Sequence, residues 1–411
     1  MVYALTLAGL LATSQQPPPP PPPPPTVTLA ELVAEARRSS PFRASAAAVS
    51  SGTRDAAVLA GRPLNPLVDV RSENWTPAGS RSLPLDVWAL VTQPIELGGK
   101  RAARLGAAQA DHAVAAAGLD AVDRDIAART AVLYLEALKS RGLVDTLTTT
   151  HAGLGTLTDA LKRRVDAGTA PEADWLRVEA ERARLSIDLA QASLALDRVL
   201  TSLTMTVGLP TPLDPRQLIV PEVPPPAATG RDVIEAAVAT RPDVRQADAR
   251  AARAQQALAL EHARRLPDPA LTTGFKRTAG LGTMVAAITT TLPIFDRNGS
   301  ATARARGEVV AAQAERTALV TSLVSTARTQ VAAAQNLRRK ATEADGVMLS
   351  AATTVRDAAR AAFREGAVDV LKLIDAERTY GDLQRAALDL RIDAAAAAIE
   401  ARLALGEDPL P

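Results

Sequence analysis

The side chains able to carry chemistry are few and scattered. The three histidines, His112, His151 and His262, have no motif partners and read as helix-surface residues. Gly98-Gly99-Lys100 has neither the spacing nor the following Ser/Thr of a phosphate-binding loop. Glu179 and Glu181 stand among arginines on an expected helix and read as solvated ion pairs. Met205, Met284 and Met348 stand alone, which is too sparse for a soft-metal relay. There is no cysteine, so this chain forms no disulfide, no Cys-ligated metal site and no thiol nucleophile. No catalytic constellation, metal site or cofactor motif emerges, and the expectation is a protein that is not an enzyme.

The elements around these residues are easier to read. The chain has 411 residues and is 47% hydrophobic, yet only 2% aromatic. Alanine supplies much of the apolar content. That composition suits long helices packed closely through small residues rather than a thick globular core. A net charge of +2 lends no support to a nucleic-acid partner.

One stretch organises the pattern: Thr92-Gln93-Pro94-Ile95-Glu96-Leu97-Gly98-Gly99-Lys100-Arg101. Residues alternate before it, as in a strand, and a long run without proline follows it. A second such handover is Leu292-Pro293-Ile294-Phe295-Asp296-Arg297-Asn298-Gly299. Pro94 and Pro293 are 199 residues apart, and the helix-breaking Gly168 and Gly366 are 198 apart. These offsets indicate two tandem repeats of a strand pair with long helices.

The first repeat spans 26–210. It holds helix from 29 to 60 interrupted at Pro41, strands over 67–75 and 84–93, a long helix over 98–165 and a helix over 170–207. Thr28 and Glu31 have the spacing of a capping box. Residues 211–230 form a proline-rich linker. The second repeat, 231–411, has strands over 270–277 and 284–293, a long helix over 299–365 and a helix over 368–405. Each strand approaches the roughly 9–11 residues that cross a bilayer at a tilt, although a hairpin on a soluble domain has the same pattern. Residues 1–12 are apolar and followed by small and polar residues, like a secretory signal without its basic start. Either that signal is atypical or the true start lies upstream. The prolines from 17 to 25 form a stiff spacer of roughly 3.1 Å per residue.

Two strands and two long helices, repeated behind a signal-like segment, resemble the TolC family of outer-membrane channels. The run Gln93, Pro94, Gly98, Gly99, Lys100 and Arg101 is similar to the strand-to-helix motif of the cobalt–zinc–cadmium and copper–silver branch. Pro293, Asp296, Arg297 and Gly299 resemble its counterpart in the second repeat. The resemblance implies a mainly α fold with a β-barrel part. In that fold a homotrimer shares a twelve-stranded outer-membrane barrel, continued by a periplasmic α-helical tube in which shorter helices stack end to end beside each long one. It implies a passive exit duct for heavy-metal cations, served by a periplasmic adaptor and an inner-membrane RND pump, with outer-membrane lipid around the barrel. Drug efflux and type I secretion use the same architecture, and a non-membrane coiled-coil scaffold is the rival from another class.

The resemblance also places a gate at the periplasmic tip, just past Gly168 and Gly366. Asp174, Arg177, Lys372 and Asp375 stand there, and their mixed signs point to ion pairs closing the tip. Trp75, Trp88 and Phe275 are the candidates for an aromatic girdle. With no cysteine for a lipid anchor, the barrel alone is expected to hold the protein in the membrane. Lys100, Arg101 and Arg104 are expected on the tube wall in a structural role.

Overall fold

The computed structural model describes residues 26–74, 84–226 and 230–409. The signal-like segment, the proline run and Trp75 lie outside the described residues. The first half contains α1 (Leu29–Ser39), α2 (Pro41–Ala60), β1 (Leu67–Glu73), β2 (Asp86–Pro94), α3 (Lys100–Asp166) and α4 (Glu172–Val207). The second contains α5 (Arg231–Ala239), α6 (Pro242–Ala263), β3 (Ala270–Thr278), β4 (Leu281–Thr289), α7 (Gly299–Glu343), α8 (Leu349–Arg364) and α9 (Val370–Ala404). Between the halves, among the described residues, the chain makes one turn of 3-10 helix, Pro215–Gln217.

Local chemistry sets most boundaries. Thr28 and Glu31 form the reciprocal capping box at the start of α1, with contacts of 3.2 and 2.7 Å. Pro41 occupies the first turn of α2, where its missing N–H costs nothing. α3 runs for 67 residues, about 100 Å at 1.5 Å per residue.

Two boundaries differ from the sequence reading. The long helix expected over 299–365 is divided by a π-helical turn, Ala344–Met348. Gly346 lowers helix propensity within that turn. Ala352 alone is buried on α8, so packing does not impose a regular ladder there. The strand expected over 284–293 runs instead over Leu281–Thr289. It starts early because Ala279 and Gly280 make a two-residue hairpin turn, with φ of 51° and 85°. It stops early because its partner β3 begins only after Pro269, which has no N–H to donate.

The four strands form one antiparallel sheet in the order β1-β2-β3-β4. The two halves join at β2 and β3, where Thr92 pairs with Thr272 and their hydroxyls meet at 2.9 Å. The register sorts the side chains onto two faces. Val68, Val70, Val87, Ala89, Val91, Leu271, Phe275, Met284, Ala286 and Ile288 share one face. Asp69, Arg71, Glu73, Trp88, Thr92, Thr272 and Lys276 share the other. Along β3 the first face is exposed and the second half-buried at every step.

The helices form a layer four columns wide. α3 packs against α2 near its start, where Arg43 binds Asp123 at 2.7 Å, and against α4 in its second half, where Arg182 lies beside Gly155. On its other side α3 meets α6, where Gln246 and Gln256 reach Gly118 and Gly106, and then α9, where Leu388 reaches Gly142. The column of α6 and α9 in turn carries α7 and α8. Buried alanines line these seams, among them Ala127, Ala131, Ala137, Ala327, Ala334 and Ala397. Their small volume lets the long helices approach closely. Tyr134 anchors the middle of α3. Its hydroxyl donates to the Ile219 carbonyl at 2.7 Å and accepts the Ile219 N–H at 3.0 Å. Among the described residues no helix is long and apolar enough to cross a membrane.

Candidate functional site

Two regions hold the residues singled out from sequence: the turns at one end of the long helices and the handover at the other. At the first, Gly168 and Gly366 both adopt left-handed φ, 70° and 75°. Around each, the chain reverses with the same hydrogen bonds. Thr169 N–H donates to Arg164 O at 2.8 Å, and Ala367 N–H donates to Ala362 O at 2.8 Å. Each is the six-to-one bond of a glycine-terminated helix end.

Past these turns, Arg177 lies 3.6 Å from Asp174, one helical turn away on α4. Asp369 caps α9 by accepting the Lys372 N–H at 3.1 Å. The side chains of Lys372 and Asp375 are exposed and form no ion pair among the described residues. A single chain therefore does not gather the four candidates into one cluster. Their arrangement has an internal logic nonetheless. At the 198-residue offset Asp174 corresponds to Lys372 and Arg177 to Asp375, so the sign at each position is reversed between the two hairpins.

Deeper along the hairpins the structure shows contacts that sequence reasoning missed. Glu181 is not a solvated partner: it is 7% exposed. Arg378 on α9 grips it with two prongs, Nε to Oε1 at 2.8 Å and Nη2 to Oε2, while Arg184 adds a contact at 3.4 Å. The Arg378 hydrogen bonds hold the Glu181 carboxyl below its ordinary range, against an opposing push from burial. Nearby, Arg360 binds Glu377, and the Arg356 guanidinium lies 3.9 Å from the centre of the Tyr380 ring. Glu181, Arg184, Glu377 and Arg378 line a groove of about 540 Å³ between α3, α4 and α9. The available signal was spacing: Glu181 falls in the buried stripe with Val178, Leu185, Ala192 and Leu196.

At the handover, Gly98 and Gly99 take φ of 68° and 74°. In the second half Asn298 does this with φ 59°, and Gly299 merely begins α7. Lys100, expected in a structural role, is buried. Its Nζ lies 2.7 Å from Asp268, a residue of the other half, whose carboxylate also accepts the Leu97 N–H at 3.0 Å. Arg101 donates to the Gly61 carbonyl, and Arg104 binds Glu96 at 2.6 Å and the Arg62 carbonyl at 3.0 Å. Each cation ties a helix start to a neighbouring linker.

On the sheet, Trp88 does not share the exposed apolar face. Its register partners are Arg71 and Lys276, and Lys276 Nζ sits 5.4 Å from its ring. Among the described residues no three His, Cys, Asp or Glu side chains gather as a metal site. His112 lies 3.4 Å from the Thr53 hydroxyl on the α2–α3 seam.

A family model described as outer membrane efflux protein matches residues 32–209 and 233–407. The cobalt-zinc-cadmium resistance protein CzcC of Cupriavidus metallidurans is 28% identical over 354 residues, covering 83% of this chain and 81% of that protein. The nickel and cobalt resistance protein CnrC of the same organism is 28% identical over 282 residues, covering 66% of this chain and 64% of that one. Among solved structures, the CusC transmembrane channel shares the fold with a TM-score of 0.76 at 16% identity, over 92% of each chain.

Proposed function

This chain belongs to the outer membrane efflux protein family, and on that premise we propose that it is the outer-membrane exit duct of a tripartite RND-type system exporting heavy-metal cations. The observation that carries the reading is the division of the sheet. One face carries the exposed Val68, Val70, Val91, Leu271, Phe275, Met284 and Ile288, and the other carries Asp69, Arg71, Glu73, Asp86 and Lys276 and is half-buried along β3. Four strands with two open edges cannot stand alone in lipid, because every unpaired backbone group there is costly. β1 and β4 are those edges. Joining β4 of one copy to β1 of the next closes the ladder, and three copies complete a barrel.

The helical layer supports the same closure. Its edge columns are α2 with α4 and α7 with α8. On α4 a second apolar stripe faces away from its own chain: Leu176, Ala180, Ala183, Ile187, Ala190 and Leu194, at heptad spacing. α8 bears the exposed Val355 beside an open groove of about 950 Å³ lined by Met348, Leu383 and Leu390. A head-to-tail contact between these edges covers both. The tube then extends into the periplasm, where the tips meet an adaptor and the inner-membrane pump.

A duct of this kind conducts and does not bind, which agrees with the scattered chemistry of the chain. The heavy-metal cargo rests on the two relatives named for cobalt, zinc, cadmium and nickel resistance. The gate is the tip, where Asp174 and Arg177 of one hairpin face the reversed signs of Lys372 and Asp375 on a neighbouring hairpin. The test is to fractionate membranes, isolate the complex and record it in planar bilayers. A membrane-embedded, conducting trimer is expected. A water-soluble protein without conductance overturns the reading and favours a coiled-coil scaffold, and a duct whose deletion leaves cobalt, zinc and cadmium tolerance unchanged overturns the cargo.

A further inference from the structure

We propose that the border between sheet and helices carries a binding site for anionic phospholipid on the periplasmic side of the membrane, with Phe295 as its anchor. This rests on the barrel reading above. The site is a surface pocket of about 480 Å³ where β4 hands over to α7 and α6 ends. Its apolar wall is Leu266, Leu292, Pro293 and Phe295. Phe295 is 99% exposed, an extreme for so large a side chain. Transferring such a ring from water into acyl chains is favourable, and Phe295 follows the end of β4, where the sheet hands over to the helices.

The charges around it are unequally matched. Arg264 is paired with Glu261 at 2.5 Å, and Lys100 with Asp268 at 2.7 Å. Arg265 and Arg297 line the same pocket and form no ion pair among the described residues; Arg297 makes only a 3.3 Å contact to the Pro293 carbonyl. Asp296 is the one remaining acid in the lining, and its carboxylate accepts the Asn298 N–H at 2.9 Å. Two arginines against one aspartate leave the pocket positive. Guanidinium groups next to an exposed aromatic ring match a phosphate headgroup over its acyl chains.

The rest of the sheet shows why such an anchor is placed here. Barrels usually mark the lipid boundary with rings of aromatic side chains. Among the described residues the apolar face has only Phe275, which sits in mid-strand opposite Met284 and Ala89. Trp88 lies on the other face, against Lys276. The boundary is instead marked by Phe295 with its arginines.

Native mass spectrometry of the full-length assembly, with dioleoylphosphatidylglycerol or dioleoylphosphatidylcholine added in detergent, tests this. The wild type is expected to retain the glycerol lipid over the choline lipid by about fivefold or more. Arg265→Gln with Arg297→Gln abolishes that preference, and Phe295→Ser lowers retention of both lipids. Equal retention of the two lipids by a wild-type assembly that still conducts overturns the lipid site alone and leaves the patch to a second copy of the chain. A protein that neither enters vesicles nor conducts overturns the barrel reading and the lipid site with it.

Discussion

Glu181 on α4 and Arg378 on α9 lie 197 residues apart in the chain and form a two-pronged ion pair that joins the two helical hairpins. The Glu181 side chain is buried while that of Arg378 is 50% exposed. Replacing Arg378 by Met leaves a buried carboxylate with only Arg184 beside it. The expected loss is about 1–2 kcal/mol, below the range for a fully buried pair because water reaches the arginine. A double-mutant cycle with Glu181→Gln, read by thermal unfolding, measures the coupling. Additive effects of the two changes would show that the pair contributes nothing.

The same pair sets an acid limit. The Glu181 carboxyl titrates below its ordinary 4.5 when folded, chiefly because Arg378 hydrogen-bonds its charged form. A depressed folded value means that the folded state binds fewer protons than the unfolded state. The stabilisation is therefore complete above 4.5 and disappears as pH falls through the lowered value. The Tm gap between wild type and Glu181→Gln should be constant near neutrality and shrink in acid. A gap that widens in acid has the wrong sign for this account.

At the tip, the reversed signs make a specific prediction. Neutralising Arg177 and Asp375 together should raise single-channel conductance in planar bilayers. Asp174→Lys alone should do likewise, and adding Lys372→Asp should restore the closed level, because the swap exchanges the partners. Unchanged conductance in every variant removes the gate from these four residues.

The proposed trimer contact uses a stripe on α4 that one chain leaves uncovered. Ile187 is 61% exposed, so a glutamate there disturbs nothing within a protomer. Ile187→Glu with Leu194→Glu should yield a folded chain that fails to trimerise, seen as monomer mass in detergent. Trimers in normal yield would place the contact elsewhere.

Neighbouring glycines at the handover should differ. Gly99→Ala faces open space and meets only the left-handed backbone penalty, about 1–2 kcal/mol. At Gly98 an added Cβ also comes within 2.5 Å of a Leu266 side-chain carbon. Gly98→Ala should therefore cost more, and equal Tm shifts would mean that Leu266 moves aside freely.

Much of this protein was legible in the residues themselves, because the signals are local. Proline, glycine and capping side chains act within a turn of the chain, so Thr28, Pro41, Gly168 and Gly366 marked real boundaries. Alternation over a few residues marked the strands, and the handover around Pro94 and Pro293 carried the resemblance to a family. The turn at Gly346 escaped because a π turn depends on how weakly α8 is packed, which no local pattern records. What only the tertiary structure decided were encounters between distant residues. The register that puts Trp88 against Lys276 rather than on the exposed apolar face joins the two halves through β2 and β3. The burial of Lys100 requires Asp268, and that of Glu181 requires Arg378, each supplied by the opposite half. A charge buried in this way is tolerated only when a partner arrives with it, and which partner arrives is a property of the packed chain.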